Sequence, residues 1–264
     1  MTESSVIEEG IRQLAQELFG DDRKRCNGFS ERLLDMYTMA EHKQFLLIHN
    51  PGGWGSTPID NLLQWERSII EGVDTTIKKL GYSGVLMQYF RSATGWRAVM
   101  NDIREQYRFF AWKSKIMAEE IRFITQHQDR LKIVMIGVSQ GAAFSNAVQQ
   151  HLDGTDRVFS IELGTPFFHK SKTVKSDRTL RLDGNGLMPD ALMEWNVPVI
   201  LKTYFSAPFR WAKYKLQGKN VKFTYCINLP GHDYNWDYPE VQRQIEEFLN
   251  KKFGNNSDVE VAAQ

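Results

Sequence analysis

Ser139 stands between two glycines in the string GVSQG, residues 137–141, directly after a run of branched apolar residues. A serine hydroxyl becomes a useful nucleophile only where a base takes its proton and hydrogen-bond donors stabilise the oxyanion that follows attack. A tight turn from a strand into a helix pushes such a side chain out above a sheet, and flanking glycines leave room for the turn. The helix also directs its free backbone N–H groups at that point, so the N–H of Gln140 is the first predicted oxyanion donor.

The surroundings of this string argue against its being a phosphate-binding loop or a chance match. The lysine of GxxxxGK[ST] is missing, and so is the spacing of GxGxxG. A strand pattern precedes the serine, and a helix with small residues follows, as a strand-to-helix elbow requires. These small residues are Ala142, Ala143, Ser145 and Ala147. We therefore interpret Ser139 as a catalytic nucleophile.

The general base should be a histidine, and His232 is the best placed of the six. It lies in NLPGHDYNWDYPEV, between the last predicted strand and the last predicted helix, so it reaches the same edge of the sheet as Ser139 from another strand. His127 and His151 fall near predicted helix ends, where a surface or capping role is the ordinary interpretation. We predict that His232 takes the proton of Ser139.

With GxSxG at residues 137–141 and GHD at residues 231–233, the chain resembles the α/β-hydrolase superfamily. The resemblance covers residues 44–250 by the order of the elements. It implies the α/β-hydrolase fold, with a mostly parallel wound sheet flanked by helices, and a triad in the chain order serine, acid, histidine. The alternation of short apolar runs with helical periods independently predicts an α/β fold with a mostly parallel sheet.

The acid of such a triad is expected in TLRLDGNGLMPDAL, residues 179–192. Asp183 closes the predicted strand and is the first choice, and Asp190 in the loop beyond is the alternative. The family's usual acid, four residues before a proline, would fall on Asn185, which is not a carboxylate. Asn185 and Glu162 therefore stay open as well, and a turn-forming or capping role is the ordinary alternative for each of these residues.

A second oxyanion donor is expected in HNPGGWGST, residues 49–57. Pro51 has no N–H, so the donor must be Gly52, Gly53 or Trp54. The stretch resembles the HGGG-type loops of lipases and esterases. A glycine-rich turn that only leads into a helix is the alternative interpretation.

Apolar side chains expected at the carboxyl ends of the strands are the predicted walls of a substrate pocket. They are Trp54, Phe90, Trp96, Phe167, Phe168 and Met188. The string ELGTPFF, residues 162–168, resembles the LGTPH stretch of lipase-like members, with Phe167 in place of the histidine. Only about a dozen residues separate it from the next strand, so we expect no large cap domain.

Residues 191–220 are predicted to form a small lid instead of a cap. They carry a basic run with two aromatic residues that could contact an anionic head group or a membrane surface. We interpret the run as a solvated face, which is the commoner role of such charges. Its members are Lys202, Arg210, Lys213, Lys215 and Lys219, with Trp211 and Tyr214.

Six apolar runs predict the strands, and periodic stripes between them predict the helices. The runs cover residues 44–50, 84–90, 132–138, 158–164, 179–183 and 222–229. One long helix is expected over the stripe from Ile103 to Ile124, and Asp60 and Asp237 are expected to cap helices. No repeat or linker divides the chain, so we predict one domain over residues 1–264, with a helical N-terminal extension (1–40) and a mobile tail (254–264).

Composition excludes several classes of function. Lys and Arg total 33 against 32 for Asp and Glu, so no overall field attracts nucleic acid. The start MTESSVIEEG does not resemble a signal peptide, and no apolar run approaches the roughly 20 residues that span a bilayer, so we expect a cytoplasmic protein. Cys26 and Cys226 fit neither a disulfide framework nor a zinc site, and we expect no metal and no cofactor.

The predicted function is a serine hydrolase that cleaves a small carboxylic ester or thioester through an acyl-enzyme on Ser139, with His232 as base. The alternative is a protein of the same fold that binds a small ligand or a partner without turnover. An irregular acid motif would favour that alternative, whereas the placement of Ser139 and His232 in the two loops that catalysis needs favours the enzyme.

Overall fold

The computed structural model describes residues 3–92, 96–152, 154–174, 176–218 and 226–254. Short 3-10 helices at Ile59–Asn61 and Phe167–Lys172 lie in the described loops. The main elements are, in chain order, α1 (Glu3–Phe19), α2 (Arg23–Ala40), β1 (Phe45–Asn50), α3 (Gln64–Lys79), β2 (Gly84–Gln88), α4 (Trp96–Tyr107), α5 (Ala111–His127), β3 (Lys132–Val138), α6 (Gln140–His151), β4 (Val158–Leu163), β5 (Thr179–Leu182), α7 (Val197–Leu216) and α8 (Pro239–Phe253).

The five described strands form one parallel sheet in the order β2-β1-β3-β4-β5. This confirms the predicted α/β class with a parallel wound sheet flanked by helices. The direction of the strand order reverses between β1 and β3. In wound sheets the loops that leave the carboxyl ends of the strands at such a reversal point open a crevice, which is the usual ligand site.

The register of the strands brings their carboxyl ends to one edge. Asn50 pairs with Gly137, and Val138 pairs with Leu163. Leu163 in turn pairs with Leu182. The residues that follow these positions therefore leave the sheet side by side, although they are far apart in the chain.

Apolar residues cover both faces of the sheet because side chains alternate along each strand. Leu46 and Ile48 of β1 belong to a buried cluster with residues of α1, α2, α5 and α6. Phe45 and Leu47 belong to a second cluster, with residues of α3 and α8. The sheet is thus buried on both faces, and its loops at the edges are the places left for chemistry.

Residues 1–40, predicted as a helical N-terminal extension, contain α1 and α2. Ile11, Leu33 and Met36 are buried in the same cluster as Leu46 and Ile48. This segment is therefore part of the main core and not an appended extension.

The prediction of one long helix after β2 is wrong, because the chain breaks into α4 and α5. Phe109 and Phe110 both have positive φ angles, 54° and 56°. Residues other than glycine rarely adopt this backbone conformation. Phe110 is fully buried and packs edge-on against Phe144 at 5.5 Å between ring centroids. This packing stabilises the break, which the apolar stripe alone did not indicate.

Both predicted helix caps are wrong. Asp60 lies in the first 3-10 helix, and α3 begins only after Leu63. Helix α8 begins after Tyr238, so Asp237 does not cap it. Pro239 does occupy the first turn, where its missing N–H costs nothing.

Two predictions concern the C-terminal part of the chain, namely a sixth strand and a mobile tail. Of the predicted strand at residues 222–229, residues 222–225 lie outside the described residues, and 226–229 form no strand. The predicted mobile tail lies outside them from residue 255 onward.

Between β4 and β5 the described residues contain only the second 3-10 helix, so the expected absence of a large cap there is confirmed for them. No described helix has both the length and the apolar character to cross a membrane.

Candidate active site

Ser139 forms the predicted elbow. Its φ of 53° and ψ of −119° lie outside the regions that residues with a side chain favour, a strain that is found mostly at functional sites. Its N–H donates to the carbonyl of Leu163 at 2.8 Å, and its own carbonyl accepts from the N–H of Ala143 at 3.1 Å. One residue thus ends the sheet and begins α6, which fixes the sharp turn.

The glycines on either side are required by close packing. A Cβ on Gly137 would lie 2.6 Å from Cα of Ala142, and one on Gly141 would lie 2.0 Å from the carbonyl oxygen of Asn50. Neither distance is possible for a real side chain. The start of α6 therefore packs directly on the end of β1, at the reversal point of the sheet.

Helix α6 directs free N–H groups toward the nucleophile. The side chain of Ser139 makes no capping bond to the helix, and the first N–H groups of any helix have no partner within it. Gln140 is the first residue of α6. The predicted role of its N–H as an oxyanion donor remains a prediction that this arrangement supports.

His232 is held by Asp190. Its Nδ1 lies 2.7 Å from Oδ2 of Asp190, which also accepts from the hydroxyl of Tyr234 at 2.8 Å. The other oxygen, Oδ1, accepts from the N–H groups of Leu192 and Met193 at 2.8 and 3.2 Å. All the main acceptor directions of this buried carboxylate are therefore occupied.

These contacts keep Asp190 ionised. Burial alone would raise the pKa of its carboxyl, but the bonds from His232 and Tyr234 outweigh burial and lower the pKa below its ordinary value. Burial and the neighbouring charge of Asp190 raise the pKa of Tyr234, so this hydroxyl stays a donor. An ionised partner at Nδ1 fixes the imidazole with its Nδ1–H toward Asp190 and leaves Nε2 as the proton acceptor.

The imidazole lies over the strand end next to Ser139. A Cβ on Gly164 would come within 2.8 Å of Cε1 of His232 and 2.9 Å of Oδ2 of Asp190. Gly164 directly follows Leu163, whose carbonyl accepts the N–H of Ser139, and neighbouring strands lie about 4.8 Å apart. The structure therefore brings the predicted nucleophile and the predicted base to adjacent strand ends.

Asp183, the first choice for the acid, makes no hydrogen bond with His232 among the described residues; the alternative, Asp190, is the carboxylate that contacts it. Strand β5 ends at Leu182, and Asp183 then lies in a surface depression that Glu240 and Gln244 of α8 also line. A bridge between residues 184 and 189 turns the chain back. That reversal brings Asp190, and not Asp183, to the imidazole.

The other two residues considered for the acid have different partners. Glu162 is fully buried and accepts from Arg181 at 2.8 Å and from Asn146 at 3.1 Å. Asn185 accepts from two backbone N–H groups of its own turn and donates to Asp233 at 2.9 Å. Glu162 thus forms a buried ion pair inside the sheet, and Asn185 forms a turn.

The loop after β1 lies against the elbow. A Cβ on Gly52 would be 3.8 Å from Cβ of Ser139. The N–H of Gly52, one of the three predicted oxyanion donors, donates to Glu66 at 3.4 Å. This N–H is therefore already engaged in a hydrogen bond within the protein. Gly53, whose φ is 55°, and Trp54 remain the other two predicted donors.

Arg91 fixes this loop and was not predicted. Its guanidinium donates to the carbonyls of Pro51 and Gly53 at 2.6 and 2.8 Å. Burial lowers the pKa of Arg91 to about 10, so it remains charged at neutral pH. It follows β2 without any motif around it, and only the packed structure shows that it positions the backbone of the loop.

Most of the predicted pocket walls are apolar side chains at the protein surface. Trp54, Phe90 and Phe168 are exposed, and the ring of Phe167 lies 3.8 Å from that of Trp195 between centroids. The side chain of Trp96 lies outside the described residues. Met188 is exposed as well, but it lines the depression beside Asp183, to which neither Ser139 nor His232 contributes.

The groups that meet at this edge are a hydroxyl, an imidazole, a carboxylate and backbone N–H donors. Covalent catalysis requires a nucleophile, a base with a fixed tautomer and donors for an oxyanion, and these groups are the ones predicted for those roles. Among the described residues no three His, Cys, Asp or Glu side chains are grouped as metal ligands.

No protein-family model matches this sequence, and no curated protein matches it. Solved structures do match it. One of them is a Trichoderma reesei cutinase in complex with a C11Y4 phosphonate inhibitor, with 13% identity and a TM-score of 0.46 over 94% of this chain and 93% of that chain. At this identity and TM-score the likeness is one of overall shape, so the interpretation of the site depends on the geometry of this chain alone.

Proposed function

We propose that this protein is a serine hydrolase that cleaves a carboxylic ester or thioester. The observation that carries the proposal is the position of the His232–Asp190 pair over Gly164, beside the strained elbow of Ser139. A hydroxyl and an imidazole held by a buried carboxylate at adjacent strand ends are the parts of an acyl-transfer site.

In the proposed first half-reaction, Nε2 of His232 takes the proton of Ser139 as the hydroxyl oxygen attacks the substrate carbonyl. The N–H of Gln140 and that of Gly53 or Trp54 stabilise the oxyanion. His232 then gives its proton to the departing alcohol or thiol, which leaves an acyl group on Ser139. Asp190 stabilises the imidazolium that forms in between.

In the second half-reaction, His232 takes a proton from water as the water oxygen attacks the acyl carbonyl. His232 then gives that proton to the oxygen of Ser139 as the bond between Ser139 and the acyl group breaks, which releases the carboxylic acid and restores the free enzyme. The hydroxyl of Ser139 makes no capping bond to α6, and no hydrogen bond joins it to His232 among the described residues. Hydrogen bonds between base and nucleophile are often long without substrate. We therefore expect the Ser139–His232 contact to tighten when substrate binds.

The proposed substrate is a small molecule with an apolar acyl group. Exposed aromatic side chains of the predicted pocket walls, Trp54 and Phe168 among them, offer contact to an apolar chain. The open site, without a large insertion between β4 and β5, sets no evident limit on the alcohol or thiol. Esters and thioesters share the same chemistry at this site.

Turnover of acyl esters and acyl thioesters of increasing chain length tests the proposal. We expect the wild type to hydrolyse members of at least one series, and Ser139→Ala and His232→Ala to lose this turnover with little change in melting temperature. Unchanged turnover in either variant would contradict the proposed mechanism. A folded wild type that binds the compounds without hydrolysing any of them would be a binding protein of this fold.

A further inference from the structure

Only a small part of the surface of helix α7 is buried against the rest of the molecule. Over Val197–Leu216 only Thr203 and Ala207 are buried. These two residues are one turn apart, so they mark a single narrow face of contact. The remaining faces of this 20-residue helix are open or only partly covered.

The face turned to solvent is the apolar one. Leu201, Phe205, Phe209 and Leu216 are 50%, 73%, 79% and 90% exposed. At about 100° per residue, these positions fall within roughly 80° of one another on the helix, away from the buried pair. We call these four residues the apolar stripe. Surface helices ordinarily turn such a stripe toward the core, so this helix has the reverse arrangement.

The segment around the apolar stripe is purely basic. From residue 195 to residue 232 the sequence contains no Asp or Glu, although the whole chain has a net charge of only +1. The same segment contains Lys202, Arg210, Lys213, Lys215, Lys219 and Lys222. Lys202 and Lys213 are exposed and follow one side of the stripe at the helical spacing.

The residues just before α7 contact the candidate active site. The N–H of Glu194 donates to the carbonyl of Asp190 at 3.0 Å. Trp195, which precedes α7, packs against Phe167. A surface that held the start of α7 would therefore lie near Phe167, one of the predicted pocket walls.

We propose that α7 docks the protein on an anionic lipid surface, with the apolar stripe inserted between head groups and the flanking lysines on phosphates. An exposed apolar face bordered by Lys and Arg, without acidic residues, is the pattern of helices that lie in a membrane interface. A second copy of this chain is a poorer occupant, because two such faces would bring like charges together. Docking does not require Ser139 to react, so it stands apart from the proposed hydrolysis.

Co-sedimentation with vesicles tests this docking. Wild type and Ser139→Ala should both bind vesicles of phosphatidylcholine with phosphatidylglycerol, and should bind vesicles of pure phosphatidylcholine at least about tenfold more weakly. The double variant F205S/F209S and the double variant K202Q/K213Q should each lose at least about tenfold in binding to the anionic vesicles. Tyr107→Ser, at an equally exposed aromatic of α4 (83%), is the matched control and should bind as the wild type does.

Four results would overturn the docking proposal. They are equal binding to both kinds of vesicle, wild-type binding by F205S/F209S, an equal loss in Tyr107→Ser, and a dimer that dissociates in F205S/F209S. The last result would assign the apolar stripe to a second copy of the chain. Melting temperatures show whether the variants fold, and the exposed positions of both phenylalanines make wild-type values the expected outcome.

Discussion

Asp190 illustrates how one side chain can be prepared for catalysis by its backbone. Two N–H groups of its own turn hold Oδ1, so the carboxylate cannot rotate away from His232 and Tyr234 on Oδ2. The orientation of the imidazole is thus decided by the turn after Pro189, before any substrate binds. Preorganisation of this kind is what makes a triad acid effective.

Replacing Asp190 should separate its role from that of Asp183. Asp190→Asn is expected to lower kcat/KM by roughly 10²- to 10⁴-fold, because an amide cannot stabilise the imidazolium and favours the wrong tautomer. Asp183→Asn is the matched control, since it removes a charge from the same loop without touching His232. Steady-state kinetics on the best ester of the panel measures both. A larger loss of kcat/KM in Asp183→Asn than in Asp190→Asn would identify Asp183 as the acid.

The acid could not be chosen from the sequence because the decisive contacts are made across the chain. A carboxylate at the end of a strand was the reasonable expectation, and Asp183 satisfies it. The useful local signal was the turn at Asp190, where a side-chain oxygen accepts from the N–H groups two and three residues later. Tyr234, two residues after His232, was missed because nothing in its neighbourhood shows that it is buried against a carboxylate.

At the scale of elements, the elbow works because α6 begins in contact with β1. Gly141 packs on the carbonyl of Asn50, and Gly52 of the following loop lies against the elbow. The two backbones that would supply oxyanion donors are therefore in direct contact. A change at this contact should affect folding as well as catalysis.

Two glycine-to-alanine changes test the packing of the elbow. Gly141→Ala should lower the free energy of unfolding by about 3 kcal/mol, since a Cβ meets the carbonyl oxygen of Asn50 at 2.0 Å. Gly28→Ala, on α2 with no atom within 4 Å of the added Cβ, should raise it by about 0.5–1 kcal/mol through helix propensity. Denaturant unfolding measures both. A neutral Gly141→Ala would mean that α6 does not begin where it is described.

Most strands were predictable because each is a short apolar run, and buried parallel strands have that composition. The break between α4 and α5 was not, since Phe109 and Phe110 have no preference for a left-handed turn and only the packing of Phe110 holds them there. The placement of Asp60 failed for a related reason. This residue, although suited to a cap, lies inside a 3-10 helix, and α3 begins only after Leu63.

At the scale of the whole molecule, the burial of His169 makes the stability of the fold depend on pH. His169 is 4% exposed, stacks on Phe110, and its Nε2 has no hydrogen-bond partner within the described part of the chain. Burial, with the nearby charge of Arg91, lowers the pKa of His169 from 6.5 to about 4. The folded protein therefore holds this imidazole neutral at pH values where the unfolded chain protonates it.

The stability of the wild type should consequently fall as pH decreases from 6.5 to 4. Over that range the unfolded state binds a proton that the folded state does not, which costs at most about 1.4 kcal/mol per pH unit. Below about pH 4 the folded state is protonated too, and this contribution ends. His169→Phe, which keeps an aromatic ring on Phe110, should show a flatter stability curve across pH 4–6.5 in denaturant titrations. Parallel curves would show that His169 is not held neutral.

The central claim concerns the whole sheet, because its strand order brings Ser139 of the elbow beside His232 and Asp190, which reach it from distant loops. Incubation with a fluorophosphonate followed by intact-mass and peptide mass spectrometry tests it most directly. We expect one covalent adduct, on Ser139, which is absent from Ser139→Ala and strongly slowed in His232→Ala. A folded wild type that forms no adduct, or forms it on another residue, would contradict the account.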